Sequence, residues 1–451
     1  MNTILLEPTD VLFFRDGRPM GGASAGHGAA WPLPTVINAA FHAALHRAEF
    51  AGVHEHRRGR SGSYEETRDR KFGSLVTAGP FPVHGADQWF FPRPADAAAP
   101  QSSAVTLTPT NSLGHSSLPA PLRFPVGSTT PPSKEKTAAW WSSSAWQAYL
   151  EGRNLTEDSH FLADADFADT ESTYGIGMDS ETGTVAESQF YSAHYLRLRD
   201  GWNLGVFATA PDKNYHHADH GNDLVRALLN GHSAEIIAGG QQRVCTATLA
   251  PTATTQLPLP LGRTEDFPQH NGKFLVKWVL LTPAIFPRIG DHPGGSLPSW
   301  VNHKTGKVEL LDGPGKNAAA RRKVPAGKPI AAHLVAALVG KPIPVTGYAI
   351  GTPDAESQIS DFKSQISNLK FQITSGAKPT HLAVAAGSVY YFECDSPTAA
   401  QSLAAALNWH GSEISNLKSQ ISNRRSTLFG EKGFGLGVCG TWDFHNANRS
   451  T

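Results

Sequence analysis

The chain is written in short apolar blocks separated by polar turns, and most of the blocks are too brief for helices. Ile4-Leu5-Leu6 and Val11-Leu12-Phe13-Phe14 predict an entering strand, followed by the polar turn Arg15-Asp16-Gly17-Arg18-Pro19 and the small-residue loop Gly21 to Gly26. From Thr35, a plausible N-cap, apolar residues recur at helical spacing: Val36, Ile37, Ala40, Phe41, Ala44 and Leu45. Charged, aperiodic sequence from His54 to Lys71 reads as a loop, solvated or in contact with phosphate. Trp140, Trp141, Trp146, Tyr149 and Leu150 predict an aromatic-rich helix capped at Ser133 or Thr137, its rings used for packing rather than base stacking. Strands are expected at Gln189–Arg199, Leu204–Ala208, Ala234–Ile237 and Val244–Leu249, with a short helix over Asn222–Leu229. The resulting order of strand, helix, strands, helix, strand is that of a ferredoxin-like split βαβ unit with insertions.

The pattern then starts again. Phe274–Leu281 predicts a strand, Ala331–Val339 a short apolar helix, and Val345–Ile350 and Gly387–Glu393 further strands. Ala399–Trp409 predicts an alanine-rich helix, and the glycine-rich segment Gly433–Trp442 ends the fold. The expected class is α+β, with two tandem ferredoxin-like domains at residues 1–250 and 251–451. Two inserts interrupt the second. Residues 357–375 and 412–426 carry a seven-residue repeat whose apolar positions (Ile359, Phe362, Ile366, Leu369, Ile373 and Ile414, Leu417, Ile421) step by three and four. Segments this short are marginal as isolated helices, so they are expected to lie on the surface and contribute little to the core.

Composition narrows the reading further. Lys+Arg and Asp+Glu both number 39, so any basic surface must be local. The three cysteines, Cys245, Cys394 and Cys439, are too scattered for a disulfide framework or a CxxC-type zinc site. With 451 residues, about two to four domains are expected, and 40% apolar with 17% charged residues predicts a soluble globular protein with long loops. Neither a signal peptide nor a long apolar run is present, which makes the cytoplasm the expected location, with no membrane partner.

Motifs for chemistry are few. Gly435-Leu436-Gly437-Val438-Cys439-Gly440 satisfies GxGxxG, but the chain ends before the helix and acidic residue of a dinucleotide site could follow. What remains is either a set of tight turns or a loop whose backbone N–H groups approach phosphates, with Lys432 beside it. His216-His217-Ala218-Asp219-His220 is the most metal-like cluster, and His42 and His46 stand four apart on the first helix, yet neither has a companion ligand motif. No HExxH, Walker loop or G-x-S-x-G elbow occurs. No catalytic residue, metal site or cofactor is therefore expected.

Leu6-Glu7-Pro8 followed by Leu12-Phe13-Phe14-Arg15-Asp16-Gly17-Arg18-Pro19 resembles the N-terminal signature of CRISPR-associated RAMP proteins, and within them the third subunit of the type III-B Cmr effector module. Gly79-Pro80-Phe81 with Phe91-Pro92-Arg93-Pro94-Ala95-Asp96, Leu280–Phe286, Val345–Tyr348, Ala385–Glu393 and Gly433–Trp442 are similar to further blocks of that family, in the same order. Thr173 stands where the family usually has arginine, and the heptad inserts lie outside the family pattern. The first insert interrupts a Gly-Lys-Pro segment ending in Lys378-Pro379-Thr380.

The resemblance implies a non-catalytic subunit of an antiviral ribonucleoprotein. It would hold the repeat-derived 5′ tag of the guide RNA, dock on the large polymerase-like subunit, abut the backbone RAMP subunits and meet target RNA only indirectly. A single-stranded tag requires phosphate-tracking cations and pockets for splayed bases. The candidate RNA-binding residues are Arg15, Arg18, Lys134, Lys136, Lys378, Lys432, Gly433, Phe434, Gly435 and Gly437. The alternatives are a RAMP endoribonuclease that processes guide precursors with a histidine as general acid or base, and a scaffold without RNA contact.

Overall fold

The computed structural model describes residues 1–15, 25–26, 29–48, 75–111, 117–128, 131, 133–178, 181–211, 223–229, 233–250, 260–313, 319–320, 323, 325–346, 348–349, 376–377, 380–409 and 427–444. Both heptad inserts, Arg18, Lys378 and the His216–His220 cluster lie outside them.

The first half builds an eight-stranded antiparallel sheet. Its central unit is β1 (Asn2–Pro8), α1 (Pro34–Arg47), β3 (Val76–His84), β11 (Trp202–Thr209), α4 (Leu224–Leu229) and β13 (Val244–Leu249). In space the four strands run β13-β1-β11-β3, the ferredoxin-like order. The sheet is extended at one edge by β12 (Ala234–Ile237), and at the other by β4 (Gln88–Pro92), β7 (Trp140–Ser142) and β8 (Phe161–Leu162), while β5 (Leu107–Pro109) and β6 (Val126–Ser128) pair with each other apart from it. Alternation along β1 sends Ile4 and Leu6 to one face and Leu5 to the other. The first face is covered by Ile37, Phe41 and Leu45 of α1 and by Leu224 and Leu229 of α4.

The second half repeats the order. β15 (Lys273–Leu280), β16 (Ala332–Leu338), β21 (Val389–Cys394) and β22 (Gly437–Thr441) run β22-β15-β21-β16, with β14 (Gln269–His270) beside the start of β15 and α5 (Pro397–Leu407) after β21. Between β15 and β16, where the motif's first helix would stand, the described residues form turns and isolated bridges such as Phe286–Gly295 and Val301–Val308, with residues 319–320 alone helical. Trp300 covers the sheet there, 5.7 Å from Trp278 and stacked 5.8 Å from Phe392. The other face of this sheet meets the free face of the first in one shared core. Leu5, Phe81, Trp89 and Phe207 from the first sheet join Leu275, Val279, Val335 and Tyr391 from the second.

Three local expectations are corrected. Residues 331–339 are strand β16, not a helix: Leu334 and Val335 enter different cores, and an apolar run of this length has no periodicity to separate the two states. The aromatic helix begins later, as α2 (Ser143–Glu151), because Trp140 and Trp141 are held in the sheet between β4 and β8. Its cap is Ser142, whose Oγ accepts from the Ala145 N–H at 3.2 Å. Thr35 is not the cap of α1. Leu33 holds that position without a side-chain bond, and Pro34 starts the helix, where its missing N–H costs nothing. The aromatic side chains of α2 are buried, as packing requires. No described helix is long and apolar enough to cross a membrane.

Candidate nucleic-acid interface

The longest feature outside the two packed sheets is a hairpin of β9 (Ala168–Met178) and β10 (Val185–Leu198), introduced by the short helix α3 (Asp164–Phe167). Beyond Ala168, β9 is exposed along almost its whole length. Tyr174, Ile176 and Met178 share one face of it and are 65%, 50% and 57% accessible. Exposed apolar side chains grouped on one strand make this face a candidate interaction surface.

The segments that carry the candidate cations are tied to the base of this arm. Leu12 exchanges two backbone hydrogen bonds of 2.8 Å with Leu196 of β10, and the Ala29 N–H donates to the Phe14 carbonyl at 2.8 Å. Arg15 thus emerges, exposed, where the chain leaves the arm. The two residues Ala25–Gly26 (β2) pair in parallel with Ser192 and Ala193. Trp31 closes the loop: it packs 5.3 Å from Trp140 and 5.5 Å from Phe167, and its indole N–H donates to the Pro80 carbonyl. Lys134 and Lys136, both exposed, lie on the segment that enters Trp140. Two stretches distant in sequence therefore converge on one aromatic cluster beneath the arm.

The C-terminal glycine segment arrives nearby but is enclosed. Leu33, immediately before α1, packs with Ile285, Val345, Ala383 and Phe434 in a small separate core. Gly433, Phe434, Gly435 and Gly437 are all buried. A Cβ on Gly433, whose φ is +94°, would lie 2.8 Å from the Thr77 carbonyl and 2.9 Å from the Ala78 Cα. One on Gly437 would lie 2.6 Å from the Val279 carbonyl. The backbone that glycine allows to approach closely is thus that of β3 at Gly433, a contact between the two halves, and that of the neighbouring strand β15 at Gly437, a contact within the second sheet. Lys432 is the charged member of the segment. Its Nζ sits 4.3 Å over the Phe429 ring and 3.8 Å from Glu431. Phe429 itself has φ +62°, a strained setting for an aromatic residue. Lys378 follows β19 (Gly376–Ala377), which pairs with β18 (Tyr348–Ala349). The preceding β17 (Ile343–Val345) pairs with β20 (His381–Ala383), which enters the same small core.

Electrostatics at the arm's base are dominated by paired charges. Arg197 binds Glu171 across the hairpin and Asp10 at 3.0 Å, and Arg199 binds Asp169 at 2.9 Å. The Asp10 carboxyl is held below its ordinary range by the Val11 N–H and by Arg197, while Glu171 raises the Arg197 guanidinium. These pairs are exposed and contribute little to stability.

Sequence reasoning missed a buried ion pair between the halves. Lys277 of β15 donates to Asp96 at 2.8 Å, with side chains 2% and 0% accessible. Tyr149 of α2 donates to the same carboxylate at 2.7 Å, Tyr391 of β21 approaches it at 3.4 Å, and the ammonium lies 3.9 Å over the Tyr149 ring. Burial pushes the Lys277 ammonium down, and Asp96 opposes that; burial and Asp96 raise both tyrosines. The signal was a lone lysine within the apolar strand Phe274–Leu280.

Nothing among the described residues groups three metal-ligating side chains. The rings of His42 and His46 stack at 6.4 Å. The nearest approach to an acid–base set is His160, which lies 2.9 Å from Ser144 Oγ, 3.0 Å from Ser142 Oγ and 3.1 Å from Glu157. Ser142 there is the helix cap.

A family model described as CRISPR-associated protein (Cas_Cmr3) matches residues 4–442. No curated protein matches the chain. Among solved structures, a chain of the cryo-EM structure of the Type III-B Cmr-beta bound to cognate target RNA and AMPPnP is 14% identical, with 96% of this chain and 94% of that one covered and a TM-score of 0.42. A chain of the Csm3–Csm4 subcomplex of the type III-A CRISPR-Cas interference complex is 10% identical, with 86% and 92% covered and a TM-score of 0.35.

Proposed function

The chain belongs to the CRISPR-associated family Cas_Cmr3, and from that membership we propose that it is a non-catalytic subunit of a type III-B effector that holds the 5′ tag of the guide RNA. The observation that carries the reading beyond the family is the convergence at the base of the arm. The loop that carries Arg15 and Arg18 and the segment that carries Lys134 and Lys136 both end on the Trp31–Trp140–Phe167 cluster. Phosphates of a single strand are tracked by these cations, with Arg forks favouring two oxygens at once. Lys432 lies beside the small core at Leu33, its Nζ over the Phe429 ring that packs against that core, and Lys378 is kept as a candidate from the sequence. The glycines Gly433, Gly435 and Gly437, with Phe434, act indirectly, by fixing Lys432 against β3. The exposed face of Tyr174, Ile176 and Met178 offers apolar contact to unstacked bases. The large polymerase-like subunit and the backbone RAMP subunits dock elsewhere on the two units, residues 1–250 and 251–451, and target RNA is met through the guide.

Guide-RNA affinity measured against salt tests this. Arg15→Glu with Arg18→Glu removes two phosphate contacts and lowers the log–log slope by about 1.4. A loss of melting temperature with unchanged affinity and slope would assign these arginines to bracing their turn instead. The competing endoribonuclease reading has His160 as its best-placed base; cleavage of repeat RNA by the purified chain, abolished in His160→Ala, would overturn the non-catalytic assignment.

A further inference from the structure

The turn between β12 and β13, Gly239-Gly240-Gln241-Gln242-Arg243, is not explained by packing alone. Gly239 and Gly240 are accounted for: a Cβ on Gly239 would lie 2.5 Å from the Phe13 carbonyl, and one on Gly240 2.7 Å from the Phe13 ring. Gln241 and Gln242 then follow with φ of +56° and +54°. Two consecutive left-handed residues are the signature of a tight hairpin turn that asparagine and glycine fill without strain; glutamine has no such advantage. Both side chains are exposed. Strain held at an exposed polar turn points to use of the side chains rather than to folding.

The surroundings show what use. Gln241 Oε1 accepts from the Tyr195 hydroxyl at 3.0 Å and from Arg243 at 3.4 Å. Both donors fix the amide so that its NH2 faces away from them. The Arg243 guanidinium lies over the Tyr195 ring at 5.1 Å, and Phe13 flanks that ring at 5.5 Å. Arg243 also reaches Asp10 at 3.5 Å, so its charge already has a counterion, and its Nε is buried without a hydrogen-bond partner. Arg243 is thus a poor phosphate clamp and a good planar surface. Arg15 is two residues beyond Phe13, which places the turn beside the RNA path proposed above.

We infer that the Gln241–Gln242 turn, backed by Arg243 stacked on Tyr195, is a subsite that reads one unpaired base of bound RNA, with adenine as the preferred base. Gln241, whose Oε1 already accepts twice, offers only its NH2 donor; the exposed Gln242 amide supplies one donor and one acceptor side by side, matching N7 and the exocyclic amine of adenine, while the guanidinium plane receives the base by stacking. This rests on the RNA-binding reading and adds to it a base preference that phosphate contacts cannot supply.

The test compares the purified full chain with its Gln241→Gly/Gln242→Gly variant. Glycine suits the left-handed turn, so folding is retained or improved, as a melting curve checks. Each protein is titrated with short oligoadenylate and oligouridylate of equal length at fixed salt. The wild type binds oligoadenylate about tenfold or more tightly than oligouridylate, and in the variant that ratio falls to near one. A wild-type ratio near one, or a ratio retained in the variant, overturns the subsite while leaving RNA binding intact. Failure of the wild type to bind either oligomer overturns the RNA reading and the subsite together.

Discussion

Replacing Lys277 by methionine removes the ammonium that pairs with Asp96 in the core shared by the two halves. Methionine keeps most of the unbranched stem, so little packing is lost and the change is electrostatic. The carboxylate retains Tyr149 at 2.7 Å and the weaker Tyr391 contact at 3.4 Å, but loses its 2.8 Å ammonium donor. Breaking one side of a buried pair costs about 3–5 kcal/mol, and the two remaining hydroxyls place Lys277→Met near the lower end, about 3 kcal/mol. Against a total stability of about 5–15 kcal/mol, this is a large fraction. Adding Asp96→Asn removes the uncompensated charge while leaving an acceptor for Tyr149. The double variant should therefore recover about 2 kcal/mol relative to the sum of the singles. Urea unfolding followed by tryptophan fluorescence, with far-UV dichroism to check that the transitions coincide, measures all four proteins. A Lys277→Met cost below about 1 kcal/mol, or additive singles, would refute the pair as a clasp between the halves.

Three further outcomes follow from the same packing. Burial pushes the thiols of Cys245 and Cys394 up to about 12 and Cys439 well above its usual range. At pH about 8 an alkylating reagent should therefore leave the native protein unmodified, its thiolate fraction reduced roughly a thousandfold, and should modify three cysteines once urea is added. Tyr149, Tyr390 and Tyr391 are all raised by burial, so above about pH 10 the unfolded chain releases phenolic protons that the native chain keeps, and stability falls as pH rises. Tyrosinate absorbance from these three of the nine tyrosines should appear together with loss of dichroism, and early ionisation of all nine would contradict their burial. Deletion of Ser357–Ser375 should leave a soluble protein with a similar melting temperature, because Tyr348 pairs with Ala377 and Ala349 with Gly376 and the chain ends there already meet; aggregation would assign the insert a structural role.

Most of the ferredoxin-like order was legible because β1, β11, β15 and β21 are apolar blocks bounded by turn residues, and α1 and α5 carry helical spacing. β16 was misread since Ala332–Leu338 is apolar on both faces and only its pairing with β21 defines it. The site was legible only in part. Arg15, Lys134 and Lys136 are exposed as local charge predicts, but their common anchor, Trp31 against Trp140, is a contact between residues over a hundred positions apart. The glycine segment Gly433–Gly437 reads equally as tight turns or as a phosphate loop because sequence does not say whose backbone glycine admits; here it is that of Thr77, Ala78 and Val279. The Gln241–Gln242 turn gave no signal, since left-handed glutamine contradicts the turn preferences by which such sites are read.

Photocrosslinking within an assembled effector complex shows whether this chain holds the 5′ tag of the guide at the base of the arm. Guide RNA carries a photoreactive base at each tag position in turn, and the crosslinked peptides are mapped by mass spectrometry. Tag positions should crosslink to this chain, at peptides containing Arg15–Arg18, Lys134–Lys136 or Gln241–Arg243, and positions in the guide's target-pairing segment should not. Tag crosslinks found only on other subunits, or confined to the α5 side of the second sheet, would contradict that placement.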